Sequence, residues 1–340
     1  MEARDIKKYF SVRGGILAHQ RGVVKAVDGV SLSIHEGETL ALVGESGCGK
    51  STFGRLLVRL DTPTAGTILF AGDNVQAYSG AALKKYRKQV QLIFQDPYAS
   101  LNPRRSAGDI IEEPLRIHES ASKKNRRQSV SELMMTVGLS ADQMHRYPHE
   151  FSGGQRQRIG IARAIALKPR LIVADEPVSA LDVSIQAQIL NLLKDLQTQF
   201  GLTYLFITHD LSVVRHVSDR VAVMYLGRIV ELAGNDDLFE NPLHPYTQAL
   251  LSAVPAAGPR KTVERIILTG DVPSPLDPPA GCAFHPRCPR RFDPCGRIEP
   301  RLENQGQYRQ VACHLINSVD ALMKKSAVTQ YSGEKNVKNA

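Results

Sequence analysis

Tryptophan and long apolar runs are both absent from the 340-residue chain. No stretch approaches the roughly 18 consecutive apolar residues that a membrane-spanning helix needs. The opening residues, Met1 to Asp5, precede no apolar segment of the kind that marks a secretory signal. We therefore expect a protein that stays in the cytoplasm and does not itself cross a bilayer.

Aromatic residues are scarce, at 6% of the chain, although the net charge is +9. The basic residues occur in short groups with no array of stacking rings beside them, unlike many single-strand nucleic-acid-binding proteins. This dispersal favours an ordinary solvated surface, with phosphate or lipid contact as the alternative. The sequence gives no reason to expect a nucleic-acid partner.

Cysteine is also rare, but four of the five cysteines lie near the C-terminus with the spacing C-x5-C-x6-C-x17-C. These are Cys282, Cys288, Cys295 and Cys313. In a cytosolic protein such a group indicates metal ligands before disulfides, and four thiolates suit an iron–sulfur cluster or Zn²⁺. His285 and His314 could replace a thiolate, which keeps zinc open, whereas the lack of a C-x-x-C pair counts against a zinc ribbon. The alternative is four unligated, buried thiols.

Apolar strands and helical segments alternate along most of the chain, which predicts an α/β fold with a mainly parallel sheet covered on both faces. A stretch of helical periodicity from about residue 107 to 142 indicates a helical insert between two halves of that core. From about residue 241 prolines become frequent. The polar residues after about 326 are expected to be disordered.

A glycine-rich loop follows the apolar segment Thr39–Val43 and precedes a helical segment that begins near Lys50. It fits the phosphate-binding pattern G-x-x-x-x-G-K-[ST] and consists of Gly44, Glu45, Ser46, Gly47, Cys48, Gly49, Lys50 and Ser51, followed by Thr52. In this pattern backbone N–H groups surround the phosphates, the lysine reaches the β- and γ-phosphates, and the serine hydroxyl can bind Mg²⁺. The strand before it and the helix after it disfavour a chance glycine turn.

Polar side chains follow three further apolar segments. Asp175 and Glu176 end the run Leu171–Glu176, at the sheet edge where ligands bind in open α/β proteins. Asp175 is placed to bind Mg²⁺ and Glu176 to orient or deprotonate an attacking water. Gln95 and His209 each follow a strand and could reach the γ-phosphate or that water, although each alone is more typical of a cap or loop.

The sequence Phe151-Ser152-Gly153-Gly154-Gln155 opens another helix and supplies a second anion site made of N–H groups and a hydroxyl. One nucleotide site in one subunit needs only one such helix start. We therefore predict that two subunits associate head to tail, each closing its signature over the ATP of the other.

Together these motifs resemble the nucleotide-binding domain of ABC transporters over residues 5–240. The resemblance implies a P-loop NTPase fold with a helical subdomain at about 100–160, a Q-loop at Gln95 that also faces Mg²⁺, and a catalytic Glu176. It further implies a signature at Ser152, a D-loop ending at Asp182 and a switch His209. Phe151 stands where the family usually has leucine. An adenine-stacking ring is expected at Tyr9 or Phe10.

The run Asn241–Thr247 and the cysteine spacing resemble the C-terminal extension of oligopeptide and dipeptide ATP-binding subunits, here residues 241–316. By itself the run is a proline-interrupted loop before a helix and carries no chemistry. The family implies a [4Fe-4S] cluster on the four cysteines. Phrases such as Arg146–His149 and Val223–Gly227 are most similar to the dipeptide branch.

The resemblance implies an ATPase subunit at the cytoplasmic face of the inner membrane, importing dipeptides. Its partners would be a second, usually different, ATPase subunit, two transmembrane permeases and a periplasmic peptide-binding protein. Oligopeptide and nickel importers are the close alternatives. A soluble ABC ATPase acting on DNA or ribosomes is the rival class, disfavoured because the chain has one phosphate loop, one signature and no long coiled coil.

Overall fold

The computed structural model describes residues 1–14, 19–254, 265–306 and 308–317. The strands β1–β12 are Glu2–Gly14, His19–Ser33, Thr39–Val43, Ala65–Phe70, Asp73–Asn74, Val90–Ile93, Leu171–Asp175, Thr203–Thr208, Arg220–Tyr225, Arg228–Gly234, Glu303–Asn304 and Gln310–Val311. The helices α1–α9 are Lys50–Leu57, Gly80–Gln89, Ala107–His118, Lys123–Thr136, Gly153–Ile165, Val183–Phe200, Leu211–Val217, Asn235–Glu240 and Pro245–Ser252.

The central sheet has the order β11-β12-β10-β9-β3-β8-β7-β6, and its middle strands from β9 to β6 run parallel. Strands β3, β7 and β8 are buried at every position, as short continuous apolar runs require when helices cover both faces. Because these strands are parallel, their carboxyl ends meet at one edge of the sheet. Residues 44, 176 and 209 lie at that edge.

A second sheet, with the order β2-β1-β4-β5, is antiparallel. Its long pair β1 and β2 presents the alternating side chains Ile6, Val27, Val30 and Leu32 to a core shared with the central sheet. The sequence predicted strands here but did not predict that they form a separate sheet. Alternation of apolar and polar residues shows which face of a strand is buried, but it does not identify the strand with which it pairs.

The predicted helical insert is present as α3 and α4, followed by two short 3-10 turns and then α5. Ser106 and Ser122 cap α3 and α4 through their side-chain oxygens. Buried residues of all three helices, including Ile111, Met134 and Ile161, pack in one core with strand β7. The insert is therefore continuous with the sheet that carries the site.

After β10 the chain forms α8 and α9 and then has little regular structure among its described residues apart from β11 and β12. Strand β12 pairs with β10 and so adds the C-terminal segment to the edge of the central sheet. The predicted tail, residues 326–340, lies outside the described residues. No described helix is both long and apolar enough to span a membrane.

Candidate functional site: the carboxyl edge of the central sheet

The loop between β3 and α1 has the tight geometry that its glycines predict. Gly44 and Gly49 have positive φ, and a Cβ at either position would collide with a backbone carbonyl oxygen, that of Met224 or of Ala26. Only glycine tolerates both conditions. The loop therefore folds closely against β2 and β9, and it delivers Lys50, Ser51 and Thr52 to the first turn of α1.

The Lys50 ammonium is buried and donates to the carbonyl oxygens of Gly44, at 2.7 Å, and Glu45, at 3.0 Å. These bonds hold the cation against the loop backbone. Ser46 and Gly47 form the exposed crest of the loop, whereas Cys48 is buried and burial raises the pKa of its thiol. The loop thus presents a row of backbone N–H groups at a helix start beside a fixed positive charge.

Ser51 and Asp175 lie together as the sequence predicts. The Ser51 hydroxyl donates to Oδ1 of Asp175 at 2.8 Å. Burial raises the pKa of Asp175, and the neighbouring Glu176 carboxylate raises it further. A hydroxyl and a carboxylate side by side are two oxygen ligands of the kind that Mg²⁺ prefers.

Glu176 accepts hydrogen bonds from side chains on both neighbouring strand ends. Gln95 Nε2 donates to one carboxylate oxygen at 2.9 Å, and His209 Nδ1 lies 3.1 Å from the other. Glu176 itself has a φ of 46°, an unusual conformation for a non-glycine residue, and its N–H donates to Ile207 at 2.9 Å. A strained backbone at a polar site is typical of functional positions. The Glu176 carboxylate is therefore held between two polar side chains at the carboxyl edge of the sheet.

The signature sequence starts α5 with a reciprocal capping box. The Ser152 hydroxyl accepts the Gln155 N–H at 3.3 Å, and the Gln155 side chain accepts the Ser152 N–H at 3.0 Å. Gly154 is buried against α6, where a Cβ would lie 2.6 Å from a methyl carbon of Ile185. Gly153 packs beside Leu181.

The same packing places the D-loop beside the signature. Asp182 is the N-cap residue of α6 and is exposed, as is Ser152, and the next residue, Val183, is 82% exposed. Within this chain Ser152 and Asp182 bond only to their own helix starts among the described residues. The structure therefore brings signature and D-loop together on one surface.

The two candidate adenine-stacking residues lie on β1. They pair with the residues of β2 that directly precede Ala26, whose carbonyl oxygen lies against Gly49. The Tyr9 hydroxyl donates a short hydrogen bond to Asp28, and burial is the main reason that its pKa rises to about 12. Phe10 is 40% exposed, with the Lys8 ammonium over its ring. Phe10 is the more accessible of the two rings.

The four C-terminal cysteines are free thiols. Burial raises the pKa of Cys282, to about 11, and those of Cys288 and Cys313. His285 and His314 face backbone carbonyl oxygens. Across the part of the chain that the structure describes, no three His, Cys, Asp or Glu side chains are arranged to hold a metal ion.

Sequence reasoning missed two residues at the phosphate loop. Tyr246 on α9 accepts the N–H of Glu45 at 2.9 Å, and Arg287 binds the Glu45 carboxylate. The run around Tyr246 is distinctive in the sequence, but nothing local in it points to a loop 201 residues away. Only the tertiary structure reveals these contacts.

The parallel sheet, the phosphate loop and the paired carboxylates define an ATPase of the ABC type. A family model described as "ABC transporter" matches residues 27–179, and one described as "Oligopeptide/dipeptide transporter, C-terminal region" matches residues 230–295. The chain belongs to the family of ABC transporter ATP-binding proteins of the oligopeptide/dipeptide type.

Relatives match along nearly the whole chain. The chain is 57% identical over 320 residues to the oligopeptide transport ATP-binding protein AppF of Bacillus subtilis (strain 168), covering 93% of this chain and 97% of that protein. It is 53% identical over 317 residues to the dipeptide transport ATP-binding protein DppF of Escherichia coli (strain K12), covering 93% and 94%. The predicted family and fold are confirmed.

Among solved structures, one is the ATP-binding cassette MJ0796 as a dimer in a post-hydrolysis state bound to ADP and Pi. It matches with a TM-score of 0.62 and 30% identity, covering 69% of this chain and 98% of that one. The match therefore spans nearly all of that cassette and leaves about a third of this chain outside it.

Proposed function

We propose that the chain is the ATP-hydrolysing subunit of an importer for dipeptides and couples ATP binding and hydrolysis to peptide uptake. The ATPase part rests on one observation: the Glu176 carboxylate lies between Gln95 and His209, next to the bonded pair Ser51 and Asp175. The peptide part rests on relatives named dipeptide or oligopeptide transport ATP-binding proteins, which match along nearly the whole chain. An oligopeptide cargo is the second candidate, favoured by the 57% identity to the Bacillus protein.

For the chemical step we propose that Glu176 accepts a proton from the attacking water. Gln95 and His209 fix the two oxygens of its carboxylate, so the base is positioned before the reaction begins. Ser51 and Asp175, with Gln95 at the adjacent strand end, would hold Mg²⁺, which when bound neutralises phosphate charge. Lys50 and the backbone N–H groups of residues 44–52, other than that of Glu45, would bind the phosphates.

We propose that Ser152, Gly153, Gly154, Gln155 and Asp182 complete the site of a second ATPase subunit. The exposed serine and aspartate, which among the described residues bond only to their own helix starts, support a surface that another subunit covers. The dimeric MJ0796 cassette supports the same arrangement by analogy. A paralogous partner chain is the form that the family resemblance favours.

We also propose that this cassette, residues 5–240, docks on two membrane permeases at the cytoplasmic face of the inner membrane and receives peptide from a periplasmic binding protein through that complex. The surface near Gln95 is connected to the insert, because Arg156 of α5 lies 3.6 Å from the centre of the Tyr98 ring and Arg163 donates to Ser100 at 2.8 Å. A displacement of the insert would thus move the residues that follow Gln95, next to the catalytic carboxylate.

For the extension, residues 241–316, we propose a [4Fe-4S] cluster on Cys282, Cys288, Cys295 and Cys313. Four cysteine thiols are the number and type of ligands that such a cluster needs. When bound, the cluster would cross-link the irregular segment. Protein purified without oxygen should be brown and contain iron, whereas colourless, zinc-loaded protein would make the assignment wrong.

Purification of the tagged full chain from its own cells tests the importer directly. We expect two membrane proteins and a second ATPase in the same complex, with hydrolysis stimulated by peptide together with its binding protein. Recovery with ribosomes or DNA and never with membranes would instead support the soluble rival. Stimulation by longer peptides but not by dipeptides would assign the chain to the oligopeptide branch.

A further inference from the structure

Every polar group of Glu45, the second residue of the phosphate loop, has a fixed partner. Its carbonyl oxygen accepts from Lys50 at 3.0 Å, which belongs to the loop itself. Its N–H and its carboxylate are bound from outside the cassette motifs, by Tyr246 and Arg287. The C-terminal extension therefore reaches the residue that follows Gly44.

The Arg287 contact is a partly buried, bidentate ion pair. Nη1 lies 2.7 Å from one Glu45 oxygen and Nη2 lies 3.1 Å from the other, which is the strongest geometry for this pair of groups. The Arg287 side chain is 9% exposed, and the pair raises its pKa well above the usual range. Arg287 lies at the end of a 3-10 turn, His285–Arg287, which fixes the direction of its side chain. The turn is closed by the Arg287 N–H, which donates to the carbonyl oxygen of Phe284 at 3.0 Å.

The Tyr246 contact is built into the core. Its ring is fully buried and packs edge-on against Tyr225, with centroids 4.7 Å apart, and against Phe284 at 5.3 Å. Its hydroxyl is thereby fixed where it accepts the Glu45 N–H. Phe284 also links this aromatic cluster to the turn that carries Arg287, so both contacts belong to one rigid unit.

We propose that Arg287 and Tyr246 are positioning residues for ATP binding. Glu45 places a negative charge within the loop that is to hold a triphosphate, and an unpaired carboxylate there would repel the phosphates. Arg287 neutralises that charge, and the Tyr246 hydroxyl accepts the N–H of Glu45 and so fixes the backbone at the start of the loop. The inference rests on the proposed ATP site at residues 44–51 and adds a function for the extension.

Equilibrium ATP titration of the full chain tests this, with all variants in the Glu176→Gln background so that the nucleotide is not consumed. We expect Arg287→Met to weaken ATP binding about ten-fold or more, as when one member of a buried charge pair is removed. Glu45→Gln together with Arg287→Met should bind within about two-fold of Glu45→Gln alone, since no unpaired carboxylate remains. A double variant as weak as Arg287→Met would overturn the proposal.

Two further variants separate positioning from a general loss of structure. Arg287→Lys, which keeps the charge, should restore most of the affinity. Arg297→Met removes an arginine of the extension that is 74% exposed, pairs with Asp293 and does not touch the loop, and it should leave ATP affinity near that of the parent. An equal loss in Arg297→Met, or no loss in Arg287→Met, would refute the inference.

Steady-state kinetics in the otherwise native chain provide the second readout. Arg287→Met and Tyr246→Phe should raise KM for ATP and leave kcat nearly unchanged, because neither side chain touches the groups around Glu176. A fall in kcat with KM unchanged would contradict a role in binding. If the parent chain itself binds no ATP, the proposed function fails; if the parent binds and Arg287→Met binds equally well, only this inference fails.

Discussion

The carboxyl edge of the central sheet and the C-terminal extension hold their functional side chains in place in different ways. At the edge, regular hydrogen bonding between parallel strands sets the spacing of Ser51, Asp175 and His209, so position along the chain nearly dictates position in space. The extension has few regular elements among its described residues after α9. Individual buried polar contacts, above all those of Glu231 and Arg287, fix it instead.

Because the two regions are held differently, we expect substitutions to affect them differently. A substitution at the sheet edge removes chemistry but leaves the surrounding sheet paired, because backbone bonds and apolar packing hold the strands. A substitution of one buried polar residue in the extension removes the support itself, since nothing regular replaces it. The phosphate loop is where the two regions meet.

The largest effect is expected at the sheet edge. Lys50→Met should weaken ATP binding by about 100-fold or more, because a charge-assisted contact to the phosphates is lost. The far-ultraviolet circular dichroism should be unchanged. Lys84→Met, at an exposed position of α2, is the matched control. If Lys50→Met unfolded the chain, the view that the edge tolerates loss of its chemistry would be wrong.

The next effect concerns the support of the extension. Glu231 is fully buried and accepts the N–H groups of Leu243 and His244, each at 2.9 Å, as well as the Arg309 guanidinium. Glu231→Gln should lower the free energy of unfolding by about 3 kcal/mol, because it leaves a buried cation unpaired. Urea denaturation measures this loss, and Glu303→Gln, at an exposed position, should change it little. Equal stabilities would show that the extension does not depend on this contact.

The smallest effect is pH-dependent and belongs to His244, which caps α9 by accepting the Tyr246 N–H at 3.0 Å. Burial lowers the pKa of His244 from 6.5 to about 3. Between these values the unfolded chain binds a proton that the folded chain does not, so stability falls as pH is lowered, by at most about 1.4 kcal/mol per pH unit. His244→Asn should reduce this acid sensitivity in thermal unfolding measured from pH 7 to pH 5. Parallel curves for the two proteins would contradict it.

The sequence predicted the sheet edge well because its signals are local. Thr39–Val43 is a strand as predicted, and the apolar run that ends in Asp175 and Glu176 forms the strand Leu171–Asp175. The helix that the signature sequence was predicted to open runs from Gly153 to Ile165. Apolar runs followed by glycines or carboxylates carry enough information to place each residue at the end of its strand.

The extension could not be predicted in the same way. The contact between Glu45 and Arg287 joins residues 242 positions apart, and neither residue is unusual within its own segment. The sequence indicated a group of metal-ligating thiols, whereas the described residues contain no group of three or more His, Cys, Asp or Glu side chains arranged to hold a metal ion. Polar contacts between residues far apart in the chain produce no periodic pattern in the sequence, so they cannot be predicted from it.

Glu176 carries the central claim, which is that hydrolysis occurs at the sheet edge with this carboxylate as the base. The most direct measurement is single-turnover hydrolysis and ATP binding by Glu176→Gln beside the parent chain, each assembled with the second ATPase subunit proposed above. We predict that the variant binds ATP as tightly as the parent, hydrolyses it at least about 100-fold more slowly, as expected when a general base is lost, and accumulates as an ATP-bound dimer. Hydrolysis at the parent's rate would contradict the account.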